Sequence, residues 1–142
     1  MRNIIIIGGG GHAKVLIDLI KTIKNFKIVG IVDPKIKKGK SINGVKVLGD
    51  DKILISLKRK GIKCLALGIG SEGNNHKRYK IWKNLKKKGF SFPVLIHKDS
   101  FTSKNIKVGQ GSQIFNKSVV NAGSKIGEIS VINTSTIIEH DC

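Results

Sequence analysis

Two stretches of this sequence gather residues whose types and spacing could do chemistry. The first, GGGGHA at residues 8–13, fits the pattern G-x-G-x-x-A, with an acid, Asp33, twenty residues beyond Ala13. Glycine amides at the start of a helix suit a pyrophosphate, because their N–H donors are unpaired there and the helix dipole favours an anion. His12 either hydrogen-bonds a phosphate or sugar hydroxyl or caps the helix. Asp33, directly before Pro34, either accepts from a ribose hydroxyl or base N–H or is a plain turn acid. The second stretch, VINTSTIIEHDC at residues 131–142, brings Asn133, Glu139, His140, Asp141 and Cys142 into a chain otherwise rich in lysine and isoleucine. These groups form either a solvated face or a site.

The elements that must carry the first stretch follow from periodicity. Asn3 to Ile7 is a short, apolar, β-branched run, the pattern of a strand buried on both faces of a parallel sheet. Residues 12–24 place Val15, Leu16, Leu19, Ile20 and Ile23 on one helical face. Lys27 to Val32 reads as a second strand, 35–44 as a Lys/Gly-rich loop and Val45 to Leu48 as a short strand. Asp50 is expected to cap a helix reaching Arg59. Lys63 to Leu67 is another apolar strand, glycines 68, 70 and 73 make a loop, and a helix follows from Asn75 to Lys88. Asn74 and Asn75 suit caps better than ligands, and Phe92 to Ile96 reads as the last strand of this part. Strands alternating with helices indicate a small doubly wound α/β sheet. Ligands bind such sheets beyond the carboxyl ends of the strands, here at residues 8–12, 33–35 and 68–75.

From Ile96 the text divides every six residues. The first positions are Ile96, Thr102, Val108, Ile114, Val120, Ile126, Ile132 and Ile138; the fifth are Ser100, Ile106, Ser112, Ser118, Ser124, Ser130, Thr136 and Cys142. Seven of these eight first positions are aliphatic and six of the eight fifth positions are Ser or Thr, a register that chance does not hold. A six-residue repeat marks a parallel β-helix with three flat faces per coil, its aliphatic residue inside and its small residue at a tight corner. With Ile138 inward, His140 and its neighbours are free to face outward.

Composition narrows the classes. The net charge of +18 over 142 residues suggests a polyanion partner, yet 24 of the 27 basic residues are lysine, where base readout and bidentate phosphate binding favour arginine. Aromatic residues are sparse, so nucleic acid is not the expected partner. No apolar run is long enough to span a membrane, and four glycines follow the opening isoleucines where a signal peptide would continue, so a cytoplasmic protein is expected. Cys64 and Cys142 have no metal-ligand spacing, and no metal is expected.

Taken together, GGGGHAKV, a strand ending at Asp33, GIGSEGNN followed by Arg78, VLIH, and hexads ending INTSTIIEHDC resemble the sugar O-/N-acyltransferases of the sialic acid O-acetyltransferase and bacillosamine-pathway acetyltransferase group. The resemblance runs through the whole chain in order. It implies a Rossmann-like sugar-nucleotide-binding domain over residues 1–95 and a left-handed parallel β-helix over 96–142, forming a homotrimer with acetyl-CoA as co-substrate between subunits. It implies that Gly10, Gly11 and His12 touch the phosphate or sugar region, that Asp33, Pro34 and Gly68 line the nucleotide pocket, and that Asn133 stands near the catalytic histidine. His140 would be the general base and Asp141 its partner, in acetyl transfer to an amino or hydroxyl group of a nucleotide-linked sugar for surface glycan or glycoprotein synthesis. Thioester acyl transfer needs a base active near neutrality, and imidazole supplies one. Successive residues of a flat strand point opposite ways, so Asp141 reaches His140 only if the chain bends between them, as at a corner. Members of the group continue for further coils, so the resemblance implies the front of a longer enzyme. A non-catalytic sugar-nucleotide-binding module is the alternative, and a nicotinamide oxidoreductase, resting on the glycine pattern and Asp33 alone, is the third reading.

Overall fold

The computed structural model describes residues 1–71 and 74–142, so Gly73 lies outside the described residues. The chain divides into two compact units, Met1–Phe92 and Pro93–Cys142.

The first unit is built on strand β1 (Arg2–Ile7), in which Ile4, Ile5, Ile6 and Ile7 are buried. A run of β-branched side chains stiff at χ1 suits a strand covered on both faces. Helix α1 (Gly11–Lys21) follows, then β2 (Phe26–Val32), β3 (Ser41–Ile42), β4 (Val45–Gly49), helix α2 (Ile53–Arg59), β5 (Cys64–Leu67) and helix α3 (His76–Lys87). The strands form one sheet in the order β3-β4-β2-β1-β5, parallel except for the β3–β4 pair.

Helix α1 buries Leu16, Leu19 and Ile20 as the sequence pattern suggests, and adds Ala13 and Ile17 to them. Ala13, Leu16, Ile17 and Ile20 are buried, at i, i+3, i+4 and i+7, while Val15 is half exposed and Ile23 lies past the helix end. Asp50 does not cap α2; Lys52 is the N-cap residue, and Asp50 Oδ1 instead accepts from the Lys52 N–H at 3.0 Å in the turn before it. Asn74 does serve the start of α3, its Oδ1 accepting from the His76 N–H at 2.7 Å.

The expected strand from Phe92 to Ile96 is divided. Ser91 bridges Cys64 in the first sheet, whereas β6 (Leu95–Ile96) pairs with β9 (Gln113–Ile114) in the second unit. Pro93 has no N–H to give a ladder, which suits it to the break.

The second unit is the opening of a left-handed parallel β-helix. Its other strands are β7 (Phe101–Thr102), β8 (Lys107–Val108), β10 (Val119–Val120), β11 (Lys125–Ile126), β12 (Val131–Ile132) and β13 (Ile137–Ile138). They pair in parallel eighteen residues apart, as β6-β9-β12, β7-β10-β13 and β8-β11, giving three faces per coil. Ile114 and Val120 are wholly buried in the stack. Ser112, Ser118 and Ser124 are wholly buried too. Their hydroxyls donate to the carbonyls of Gly127, Asn133 and Glu139 at 2.6–2.7 Å, each fifteen residues ahead in the next coil. A buried hydroxyl without a partner costs about 1–3 kcal/mol, and these carbonyls supply the partner that lets a serine stand at the tight corner.

From residue 111 onward each corner turns through one left-handed residue, whereas the corners at 97–100 and 103–106 have none. Gly111, Lys117, Gly123, Ile129, Ser135 and Asp141, six residues apart, have φ of 73°, 57°, 78°, 50°, 60° and 57°. For a β-branched residue this conformation is strained, at a cost of about 1–2 kcal/mol. Ile129→Gly is therefore expected to raise stability by about 1 kcal/mol, part of the relief being lost to the freer unfolded chain. A higher midpoint in denaturant with an unchanged slope would show it; a lower midpoint would mean that the side-chain contacts of Ile129 outweigh the strain.

Candidate functional site

In the first unit the carboxyl ends of β1, β2 and β5 meet. Gly8 ends β1 with φ 91°, and its N–H donates to the Val32 carbonyl at 2.8 Å. Gly68 ends β5, and a Cβ there would stand 2.3 Å from the Gly8 carbonyl oxygen, a contact that no backbone allows. These two glycines are required by the protein's own packing. Gly10 and Gly11 are not: neither has a positive φ, and a Cβ on either would meet nothing within 4 Å. They open the N-terminus of α1, whose first turn carries no acidic side chain. Bare amides, the positive end of a helix and open space together make a cradle for an anion. His12, half buried, stands beside Gly70, whose Cβ would lie 3.7 Å from its own.

Asp33 fastens this region together. Its Oδ2 accepts from the Gly9 N–H and its Oδ1 from the Lys35 N–H, both at 2.8 Å. It is thus neither a bare turn acid nor a carboxylate left wholly for a ligand; it ties the glycine loop to the Asp33-Pro34-Lys35 turn.

A cavity of about 480 Å³ opens beside them, between α2 and α3. Gly8, Asp33, Pro34 and Ile69 line one end, and Leu54, Ile55, Ile81, Leu85 and Phe90 line its walls. Lys35, Lys58, Lys77 and Lys88 supply cations. Lys58 Nζ donates to the Lys88 carbonyl and sits 5.6 Å from the Phe90 ring centre. An apolar slot with lysines about it suits a flat, amphipathic anion. The cavity lysines escape sequence reasoning because nothing distinguishes them among 24, and the apolar residues read only as helix faces.

In the second unit, His140 and Asp141 follow β13 at a corner. His140 Nδ1 and Asp141 Oδ2 lie 2.8 Å apart, both side chains exposed. The left-handed φ of 57° at Asp141 supplies the bend that adjacent strand residues need in order to meet. Its N–H donates to the Ala122 carbonyl at 2.9 Å, which holds the corner to the coil before it. Gly123, one coil earlier, makes room: a Cβ there would stand 2.1 Å from Asp141 Oδ1. With Nδ1 protonated and donating to Asp141, Nε2 presents its lone pair outward, the form a general base needs. Glu139 Oε2 accepts from the Asn121 amide at 3.1 Å. Asn133 is exposed, and its carbonyl takes the Ser118 hydroxyl; among the described residues it makes no bond to His140 or Asp141. Among the described residues no three His, Cys, Asp or Glu side chains group as metal ligands, and no helix is long and apolar enough to cross a membrane.

Residues 3–85 match the PglD N-terminal domain. The chain belongs to this family. UDP-N-acetylbacillosamine N-acetyltransferase from Bacillus subtilis (strain 168) is 32% identical over 116 residues, which are 80% of this chain and 51% of that protein. A histidine-to-asparagine mutant of perosamine N-acetyltransferase from Caulobacter crescentus, solved with CoA and GDP-perosamine, superposes with a TM-score of 0.91 at 33% identity. That match covers 100% of this chain and 65% of the other. The acetyltransferase domain of PglB from Neisseria gonorrhoeae FA1090, solved with acetyl coenzyme A, gives 0.89 at 34% identity, over 99% of this chain and 66% of that one. The chain thus spans about half the length of the Bacillus relative and just under two thirds of these two structures.

Two expectations for this PglD-type unit follow. Gly11→Ala should keep stability or raise it by up to about 1 kcal/mol, since alanine favours a helix, yet weaken binding of a nucleoside diphosphate measured by calorimetry. Unchanged binding would show that the open space at α1 receives nothing. Asp33→Asn should lower stability by about 1–3 kcal/mol, because the amide presents N–H where Gly9 or Lys35 already presents one. A thermal midpoint equal to the parent's would rule out that fastening role.

Proposed function

We propose that the protein transfers an acetyl group from acetyl-CoA to an amino group of a nucleotide-linked sugar, with His140 as general base and Asp141 as the residue that orients it. The observation that carries this reading is the His140–Asp141 pair, held at 2.8 Å through Nδ1 on a left-handed corner. The names of the two N-acetyltransferases support the amine, and the CoA and GDP-perosamine of the Caulobacter structure support the two substrates.

On this reading the nucleoside enters the α2–α3 groove past Asp33, Pro34 and Gly68, and the diphosphate meets Gly10, Gly11 and His12. His140 Nε2 takes the proton as the amine attacks the thioester carbonyl. Imidazolium then returns that proton to the departing CoA sulfur, so the base ends as it began. Residues 1–92 are the sugar-nucleotide-binding part and 93–142 the part that carries the base, with Asn133 beside the reacting groups. The acceptor chemistry fits synthesis of a surface glycan or glycoprotein in the cytoplasm.

A homotrimer with acetyl-CoA between subunits belongs to the same reading. Phe101, Val119 and Ile137 stand in register across β7, β10 and β13, with Phe101 58% and Ile137 64% exposed. An outward apolar ladder of this kind supports a subunit interface. The glycine pattern and Asp33 would also suit a nicotinamide dinucleotide, but a carboxylate already taking two backbone N–H groups and a hexad-built second unit do not favour it. A binding module without catalysis is the second reading, favoured by a groove complete within the first unit.

His140→Ala should lower acetyl transfer about 10²- to 10⁴-fold while nucleotide-sugar binding and thermal stability stay near those of the parent, because the exposed pair contributes little to folding. Asp141→Asn should lower transfer less and keep the corner, since asparagine tolerates the left-handed conformation. Equal loss of binding and transfer from His140→Ala would point to a folding role, and undiminished transfer would remove His140 as the base.

A further inference from the structure

Arg78 is the only charged side chain wholly buried among the described residues, 1% exposed. It stands in the first turn of α3, where a cation opposes the helix dipole, so local helix chemistry does not explain it. Its Nη1 donates to the carbonyls of Leu67 (3.3 Å) and Ile69. Those two carbonyls flank Gly68, whose N–H donates to the Ile7 carbonyl at 2.8 Å and whose Cα lies against the Gly8 carbonyl. Burial lowers the guanidinium pKa to about 10, which leaves it charged at neutral pH.

We infer that Arg78 is a positioning residue: it holds residues 67–69 against the Gly8 turn and so sets where Ile69 stands as a wall of the nucleotide groove. This rests on the acetyltransferase reading for the identity of the ligand, but the clamp itself is a property of the first unit. A guanidinium suits the task because the two N–H groups of Nη1 are fixed in one plane and can serve both carbonyls at once, whereas an ammonium is a point charge on a flexible stem. Removing Nη1 frees two carbonyls that flank a glycine, the residue with the widest choice of conformations.

The test is Arg78→Lys and Arg78→Gln, each titrated with UDP and with GDP and each followed by amide hydrogen exchange at Gly68, Ile69 and Gly70. In Arg78→Lys the Kd for whichever diphosphate the parent binds should rise about tenfold, and exchange at the three amides should quicken. The KM for the nucleotide sugar should rise with it while kcat holds. Arg78→Gln should lose more binding, with the lysine variant recovering part of it; if the glutamine variant fails to fold, the lysine variant decides alone. A folded Arg78→Lys with parental Kd and parental exchange overturns the inference, and so does lowered thermal stability with unchanged Kd, which would make Arg78 a fold residue only. If the parent binds neither UDP nor GDP, the nucleotide reading of the groove fails by itself. Faster exchange in the variants would still uphold the clamp, and unchanged exchange would overturn that too.

Discussion

The left-handed residue at every sixth position from 111 onward is the constraint on which the coils of the second unit depend. A flat coil with three faces must turn sharply every six residues, and one residue of positive φ makes each turn from Gly111 to Asp141. Only two of the six are glycine. The others accept the cost because the ladder fixes the residues on either side: β-pairing eighteen residues apart and serine hydroxyls reaching fifteen residues ahead leave the corner no alternative. Asp141 is one of these corners. The same turn that closes the coil brings its carboxylate to His140, so the candidate dyad is a product of the repeat's geometry rather than an addition to it.

The first unit depends on a comparable constraint, the close approach of Gly68 to the Gly8 carbonyl. Two parallel strand ends meet there without side chains between them, and Asp33 and Arg78 fasten that meeting from opposite sides. Asp33 works from the β2 end through the Gly9 amide; Arg78 works from α3 through the carbonyls beside Gly68. The loops are positioned by charged groups bonded to backbone, which holds them more narrowly than apolar contact would.

Much of this was legible in the sequence because it is periodic or compositional. The isoleucine run announced β1, the hexad register announced the coils, and GGGGHA announced the turn into α1. The left-handed position was not legible: it holds Gly, Lys, Gly, Ile, Ser and Asp, a set with no common chemistry, since each residue is forced there by neighbours. Gly123 hid for a related reason, because its purpose is a carboxylate eighteen residues away. The burial of Arg78 and the two backbone bonds of Asp33 depend on where strands end in space, which no local pattern encodes. On α1 the spacing announced Leu16, Leu19 and Ile20, but spacing alone could not add Ala13 and Ile17 to the buried stripe and leave Val15 outside it.

The exposure of the His140–Asp141 pair bears on how such a dyad can work. In water, an imidazole and a carboxylate gain little from each other, since solvent screens them and two mobile side chains lose freedom on pairing. Here the freedom is largely removed in advance. The residues are adjacent, the Asp141 N–H is bound to the Ala122 carbonyl, and Gly123 leaves space on the side where the carboxylate must lie. The pairing distance is therefore set by backbone rather than by burial.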